Sequence, residues 1–261
     1  GGTGTTDCCI LGDAGEDNIS PGYSVCADDQ NFDLVNQLNG TPGTGGIWYD
    51  NNWNVVSNTF DPSTNNSGTY AYIVAGTPPP GTTITCPDDT SLLAVTVNPL
   101  PNINFPTIDD ICTNEPPLNL NTATPSGGDY TGVGISNNIF TPSSSNIGNN
   151  LISYNFTDLN GCSNIETQNI QVNEAPTMSL GSDEEIPCKT TITIIPDVNG
   201  GSTPYYYLWS DGSTNSELVT GGAIVSLTLS DNNGCTVFDE VVITQEETPN
   251  ITISGGGNIC N

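Results

Sequence analysis

Apolar and polar positions alternate with period two in several short stretches of this chain. Ile152, Tyr154 and Phe156 alternate with Ser153, Asn155 and Thr157, and Val225, Leu227 and Leu229 alternate with Ser226, Thr228 and Ser230. Such alternation predicts half-buried β-strands. Both stretches run into the same ending, Asp-x-Asn-Gly-Cys, at Cys162 and at Cys235. Asn-Gly predicts a tight type I′ hairpin turn, with the cysteine opening the returning strand. No sustained helical period is present; residues 31–38, "NFDLVNQL", predict one short helical turn at most.

The two endings belong to a longer period. Pro101, Pro176 and Pro249 each precede an apolar residue by two: Ile103, Met178 and Ile251. A cysteine follows each proline at Cys112, Cys188 and Cys260, and another precedes each at Cys86, Cys162 and Cys235. Fixed periods of this kind mark tandem arrays. The phase divides the chain into a lead segment (1–13), repeats over 14–98, 99–173 and 174–247, and a closing segment (248–261). Cys260 reads as the first cysteine of a fourth repeat, or the segment as an inter-subunit one. Gly1 reads as a processed end or a cut in a longer protein.

Short strands separated by Gly, Pro, Asn and Asp turns predict an all-β protein. The fold expected is a series of immunoglobulin-like β-sandwiches in an elongated rod, each with one intradomain disulfide. The repeat phase pairs Cys26 with Cys86, Cys112 with Cys162, and Cys188 with Cys235. Cys8, Cys9 and Cys260 are left for partners outside the segment or for bridges between subunits. Trp48 and Trp209, set between cysteines, resemble the core tryptophan of immunoglobulin domains. The tyrosine those domains carry two residues before the second cysteine is replaced here by Ile84, Asn160 and Asn233.

Charge narrows the function. The chain has 29 acidic residues, one lysine, no arginine and no histidine, for a net charge of −28. Nucleic acid is excluded as a partner, since its affinity rests on Lys and Arg neutralising phosphates. No apolar run approaches the length of a membrane span. Nine cysteines point to an oxidising compartment. Without histidine there is no Ser-His-Asp or Cys-His chemistry, and the chain is read as a non-enzyme with no certain cofactor. Calcium is the one ion the composition favours, because it takes oxygen donors. Its candidate ligands are Asp109, Asp110, Asp158, Asp183, Glu184 and Asp231. Trp53, beside a polar turn, is the candidate glycan contact.

Residues 204–212, with Pro204, Tyr205, Tyr207, Trp209, Ser210 and Gly212, are followed by Asp231, Asn233, Gly234 and Cys235. This order resembles the SprB repeat of giant adhesins on gliding Bacteroidetes. The first two repeats resemble the immunoglobulin-like and PKD-like repeats of the same surface proteins. The features are Ala14, Gly15 and Asp17, then Cys26 to Asp29, then Gly45, Gly46 and Trp48, then Phe60 to Pro62 and Gly68 to Tyr70. The resemblance implies type IX secretion, an extracellular place on a bacterial surface, and a structural role in adhesion and gliding. The partners it implies are other repeats or subunits of the same protein, with surface glycans or substratum beyond them. The alternative reading is a carbohydrate-binding array attached to a secreted enzyme.

Overall fold

The computed structural model describes residues 9–247. Among them the only helical turns are two short 3-10 segments, Leu34–Gln37 and Ser144–Asn146. The first is the turn expected within 31–38. All else is strand and loop, and the chain is a tandem of immunoglobulin-like β-sandwiches.

The first sandwich has a five-stranded sheet in the order Asn18–Cys26, Asp89–Asn98, Gly68–Val74, Ile47–Tyr49 and Val55–Val56. Phe32–Asp33 and Thr59–Phe60 form a smaller ladder facing it. Aromatic rings join the two layers: Phe32 meets Tyr23 at 4.8 Å between centroids, and Phe60 meets Tyr70 at 5.5 Å. Edge contacts of this kind suit the ring quadrupole. Trp48, Tyr72, Leu93 and Val95 complete this core, so the expected placement of Trp48 holds.

The third repeat has a main sheet of Glu184–Ile186, Thr236–Gln245, Ala223–Ser230 and Tyr206–Trp209, in that order. Val225, Leu227 and Leu229 point inward onto Trp209 as their alternation predicts. The ladders Ile192–Ile194 with Leu218–Thr220, and Thr177–Ser179 with Asp197–Asn199, supply Ile194, Met178 and Val198 to the same core. The middle repeat has a sheet of Asp129–Gly132, Gly148–Thr157, Ser163–Asn173 and Ile111–Cys112. Tyr130 packs on Tyr154 at 4.6 Å and on Phe105 at 5.6 Å.

One feature recurs in all three repeats. A lead strand pairs parallel to the repeat's last strand: Cys26 lies opposite Asn98, Cys112 opposite Asn173, and Ile186 opposite Gln245. The lead strand therefore ends where its repeat ends.

Contacts group the described residues into two compact units. One holds 9–104, 124–129 and 155–166; the other holds 105–123, 130–154 and 167–247. These lines differ from the sequence phase, whose boundaries fall after 98 and 173. Residues 155–166 of the first unit include Cys162, which is bonded to Cys26.

The hairpin turns also differ from the type I′ form. Asp158 N–H donates to the Cys162 carbonyl, Gly161 N–H donates to the Asp158 carbonyl, and only Gly161 has a positive φ, 86°. The loop at Asp231–Cys235 repeats this pattern, with Gly234 at 84°. Both are three-residue loops, a turn closed by a glycine bulge. The reason is the aspartate. Asp158 Oδ1 accepts the N–H of Asn160 at 2.8 Å and of Cys162 at 2.9 Å. Asp231 Oδ1 accepts the N–H of Asn233 at 2.9 Å and of Cys235 at 2.8 Å. A carboxylate bridging two amides favours this wider loop over a two-residue turn.

Candidate functional site

The chemistry that this chain displays is its covalent cross-linking, and it begins with strand geometry. The early cysteine of each repeat, at the end of the lead strand in the first two and two residues past it in the third, lies at the far end of the last strand. The cysteine of each turn lies just before that strand starts. In the first repeat the ten-residue strand Asp89–Asn98 separates them, a distance of about 30 Å at ~3.3 Å per residue. A disulfide needs Cα atoms about 4.4–6.8 Å apart. The intra-repeat pairs expected from the phase, Cys26–Cys86, Cys112–Cys162 and Cys188–Cys235, therefore do not form.

Instead the bridges are staggered by one repeat. Cys26 bonds Cys162 and Cys112 bonds Cys235, with Cα separations of 5.5 and 5.7 Å. In each case the lead-strand cysteine of one repeat takes the turn cysteine of the next. Cys9 bonds Cys86, at 5.6 Å, so the lead segment supplies the partner that the first repeat's turn cysteine requires. This corrects the reading that leaves Cys9 for a partner outside the segment or for a bridge between subunits. Ile10 and Thr77 exchange backbone hydrogen bonds beside it. Cys8 and Cys260 lie outside the described residues. Cys188 is half-buried and carries a free thiol.

Hydrogen bonds seat the bridges. Ala27 N–H donates to the Asn98 carbonyl, and Thr113 N–H to that of Asn173, extending each parallel ladder past its cysteine. At the second junction Thr113 Oγ1 accepts Ala175 N–H at 3.0 Å, and Asn114 Nδ2 donates to the Thr236 carbonyl at 2.8 Å. Cys112, Ala175 and Cys235 form a buried apolar cluster. Cys162 is also fully buried. The Asp-x-Asn-Gly-Cys motif is thus a holder for sulfur. The carboxylate fixes the N–H of the cysteine itself, and the glycine supplies the left-handed residue just before it.

This use of the aspartates bears on the calcium candidates. Asp158 and Asp231 spend Oδ1 on their own turns, and Asp231 Oδ2 accepts Ser202 N–H at 2.9 Å. Asp183 Oδ1 accepts Val242 N–H at 2.9 Å, and Glu184 is exposed on its strand. Asp109 and Asp110 line a cleft of about 280 Å³ with Glu115. Among the described residues, no group of three or more acidic, cysteine or histidine side chains converges as a metal site would require.

Trp53 is 68% exposed and holds a left-handed backbone, φ 64°. Its turn is organised by Asp50, which accepts the N–H of Asn52 and Asn54 through Oδ1 and the Asn54 amide through Oδ2. Those bonds, the Asn54 side chain first, hold the Asp50 carboxyl below its ordinary value of 3.8. Tyr49 stands 6.0 Å away between ring centroids.

The stagger can be checked with one protease. Trypsin cuts only after Lys or Arg, and the chain offers Lys189 alone, exposed and next to Cys188. In Cys188→Ser, cut after unfolding, the fragments are expected to stay joined through Cys112–Cys235 until reductant is added. Fragments that part without reductant would mean that pairing within repeats is correct.

No protein-family model matches the chain, and no curated protein matches it. Solved structures of tandem immunoglobulin domains are among those to which the chain is similar. A mutated variant of titin I67–I69 matches at 11% identity over 87% of this chain and 96% of that one, TM-score 0.40. Domains 3–5 of Drosophila OTK match at 12% over 93% and 98%, TM-score 0.32. The N-terminal eight Ig domains of Down syndrome cell adhesion molecule match at 12% over 91% of this chain and 36% of that one, TM-score 0.37.

Proposed function

We propose that this chain is a structural, non-catalytic segment of a bacterial surface adhesin of the SprB-repeat kind. It is exported by type IX secretion, and it spaces and presents adhesive contacts during gliding. One observation carries the reading: successive repeats are tied by staggered disulfides. Bridges between repeats resist the pulling apart of neighbours, as a load-bearing array requires. The bridges also fit an oxidising, extracytoplasmic place. The test is surface labelling of intact gliding cells with an antibody to this segment. Label is expected on the outside, and it should disappear when type IX export is disabled. Label that persists after the block would overturn the export route, and label confined to broken cells would overturn the location.

A second reading, glycan binding, is favoured by Trp53. A large exposed ring held at positive φ sits where glycine would be the less strained choice. Trp53→Gly is therefore expected to leave stability unchanged or to raise it by up to about 1 kcal/mol. On a glycan array, binding that Trp53→Gly abolishes while stability holds would establish the sugar contact. An array with no wild-type signal would end this reading.

A further inference from the structure

In the first and second repeats the lead strand ends on a cysteine, Cys26 and Cys112; in the third repeat Cys188 comes just after the lead strand. It follows the lead strand Glu184–Ile186, which pairs parallel to the end of Thr236–Gln245. It stands two residues beyond the rung Ile186–Gln245, and Glu246 N–H donates back to the Ile186 carbonyl. Its Sγ lies against the Glu246 carbonyl, on the segment that leaves the repeat. Cys235 is beyond its reach, a ten-residue strand away, and is already bonded to Cys112. In the first two repeats the lead-strand sulfur is oxidised, each time onto the turn cysteine of the following repeat. Residues 249–260 resume the repeat phase with Pro249, Ile251 and Cys260. Cys260 falls in the phase of a lead-strand cysteine, the same class as Cys188, and so is not the partner this stagger calls for.

We infer that Cys188 is the docking thiol for a further repeat of the same polypeptide, one that presents a cysteine on a turn like Asp231–Cys235. The two thiols each lose a proton, and the pair of electrons passes to a disulfide oxidant of the glutathione class, which leaves as two thiols. Exchange runs through a mixed disulfide on one of the two sulfurs. Cys188 is half-buried, not enclosed in the core. The bridge would extend the stagger by one more step and make it a rule of the whole array.

Two experiments decide this. First, protein from its native source is alkylated, digested without reduction by a protease that needs no basic residue, and mapped by mass spectrometry. Cys188 is expected in a cross-linked peptide whose other half carries the turn cysteine of a later repeat. A free alkylated Cys188, a glutathione adduct, or a bridge to Cys8 or Cys260 would overturn the inference. Second, the full 261-residue chain is extended by a copy of residues 189–247 and produced in an oxidising compartment. Alkylation of Cys188 is expected to drop more than about tenfold against the unextended chain, since a bonded sulfur offers no thiolate. Changing the copied turn cysteine to serine should restore it. Unchanged alkylation in the extended chain would overturn the inference. Neither readout depends on what the segment adheres to, so the adhesin reading and this one stand or fall separately.

Discussion

Pulled between Cys9 and Cys235 under oxidising conditions, the chain is expected to stop extending at about 100 Å, against about 800 Å after reduction. The limit follows from covalent connectivity. Force entering at Cys9 crosses to Cys86 through one bridge, runs along the backbone to Cys112, and crosses to Cys235 through another. Only the residues between Cys86 and Cys112 lie on that path, about 90 Å fully extended at ~3.6 Å per residue. The rest is shielded inside closed loops, even when unfolded. Pairing within repeats would place three inter-cysteine segments on the path and allow about 250 Å at the same rise. Single-molecule extension with handles flanking these cysteines separates the cases. A plateau near 250 Å would restore the intra-repeat scheme, and equal lengths with and without reductant would mean that no bridge carries load.

Much of the fold could be read from the sequence, because strand periodicity and turn residues are local signals. The alternation at 225–230 placed Val225, Leu227 and Leu229 in the core, and Trp48 and Trp209 were expected there. The repeat phase marks Cys26, Cys86, Cys112, Cys162 and Cys235 as bonded but gives each the wrong partner, leaves Cys9 out and counts the free Cys188 in. What it missed was the end of the sandwich at which each sulfur lies. An early and a late cysteine around a tryptophan look like the pair that pins two sheets in an immunoglobulin domain. Here the early one sits on a lead strand running parallel to the last strand, a pairing set by tertiary structure. Two-residue strands such as Ile111–Cys112 carry too little pattern to announce it. The part that the motif's aspartate plays in its own turn is hidden from the sequence for a related reason. Clustered carboxylates suggest a cation by composition, whereas only geometry shows an oxygen already committed to amides.

That commitment makes Asp231→Ala a strongly damaging change in the third repeat. Asp231 is only 2% exposed, and its two oxygens accept three backbone N–H groups, from Ser202, Asn233 and Cys235. A hydrogen bond to a charged group contributes about 1.5–3 kcal/mol, and a buried donor left without a partner costs about 1–3 kcal/mol. Some relaxation and water entry will recover part of this, so the expected loss is about 3–5 kcal/mol. Asp231→Asn keeps one acceptor oxygen for Asn233 and Cys235 but turns an N–H₂ toward the Ser202 N–H. It should lose about 1–3 kcal/mol, one charged bond's worth. Asp158→Ala removes two amide partners at a half-exposed site, where water replaces the carboxylate, and should cost about 1–2 kcal/mol. Denaturant titration, with non-reducing maps to show that all bridges remain, gives the order. The Ala change at 231 should exceed the Asn change, and both the Ala change at 158. If Asp231→Ala proves no worse than Asp158→Ala, the carboxylate is not what holds the Cys235 turn, and the motif's aspartate needs another explanation.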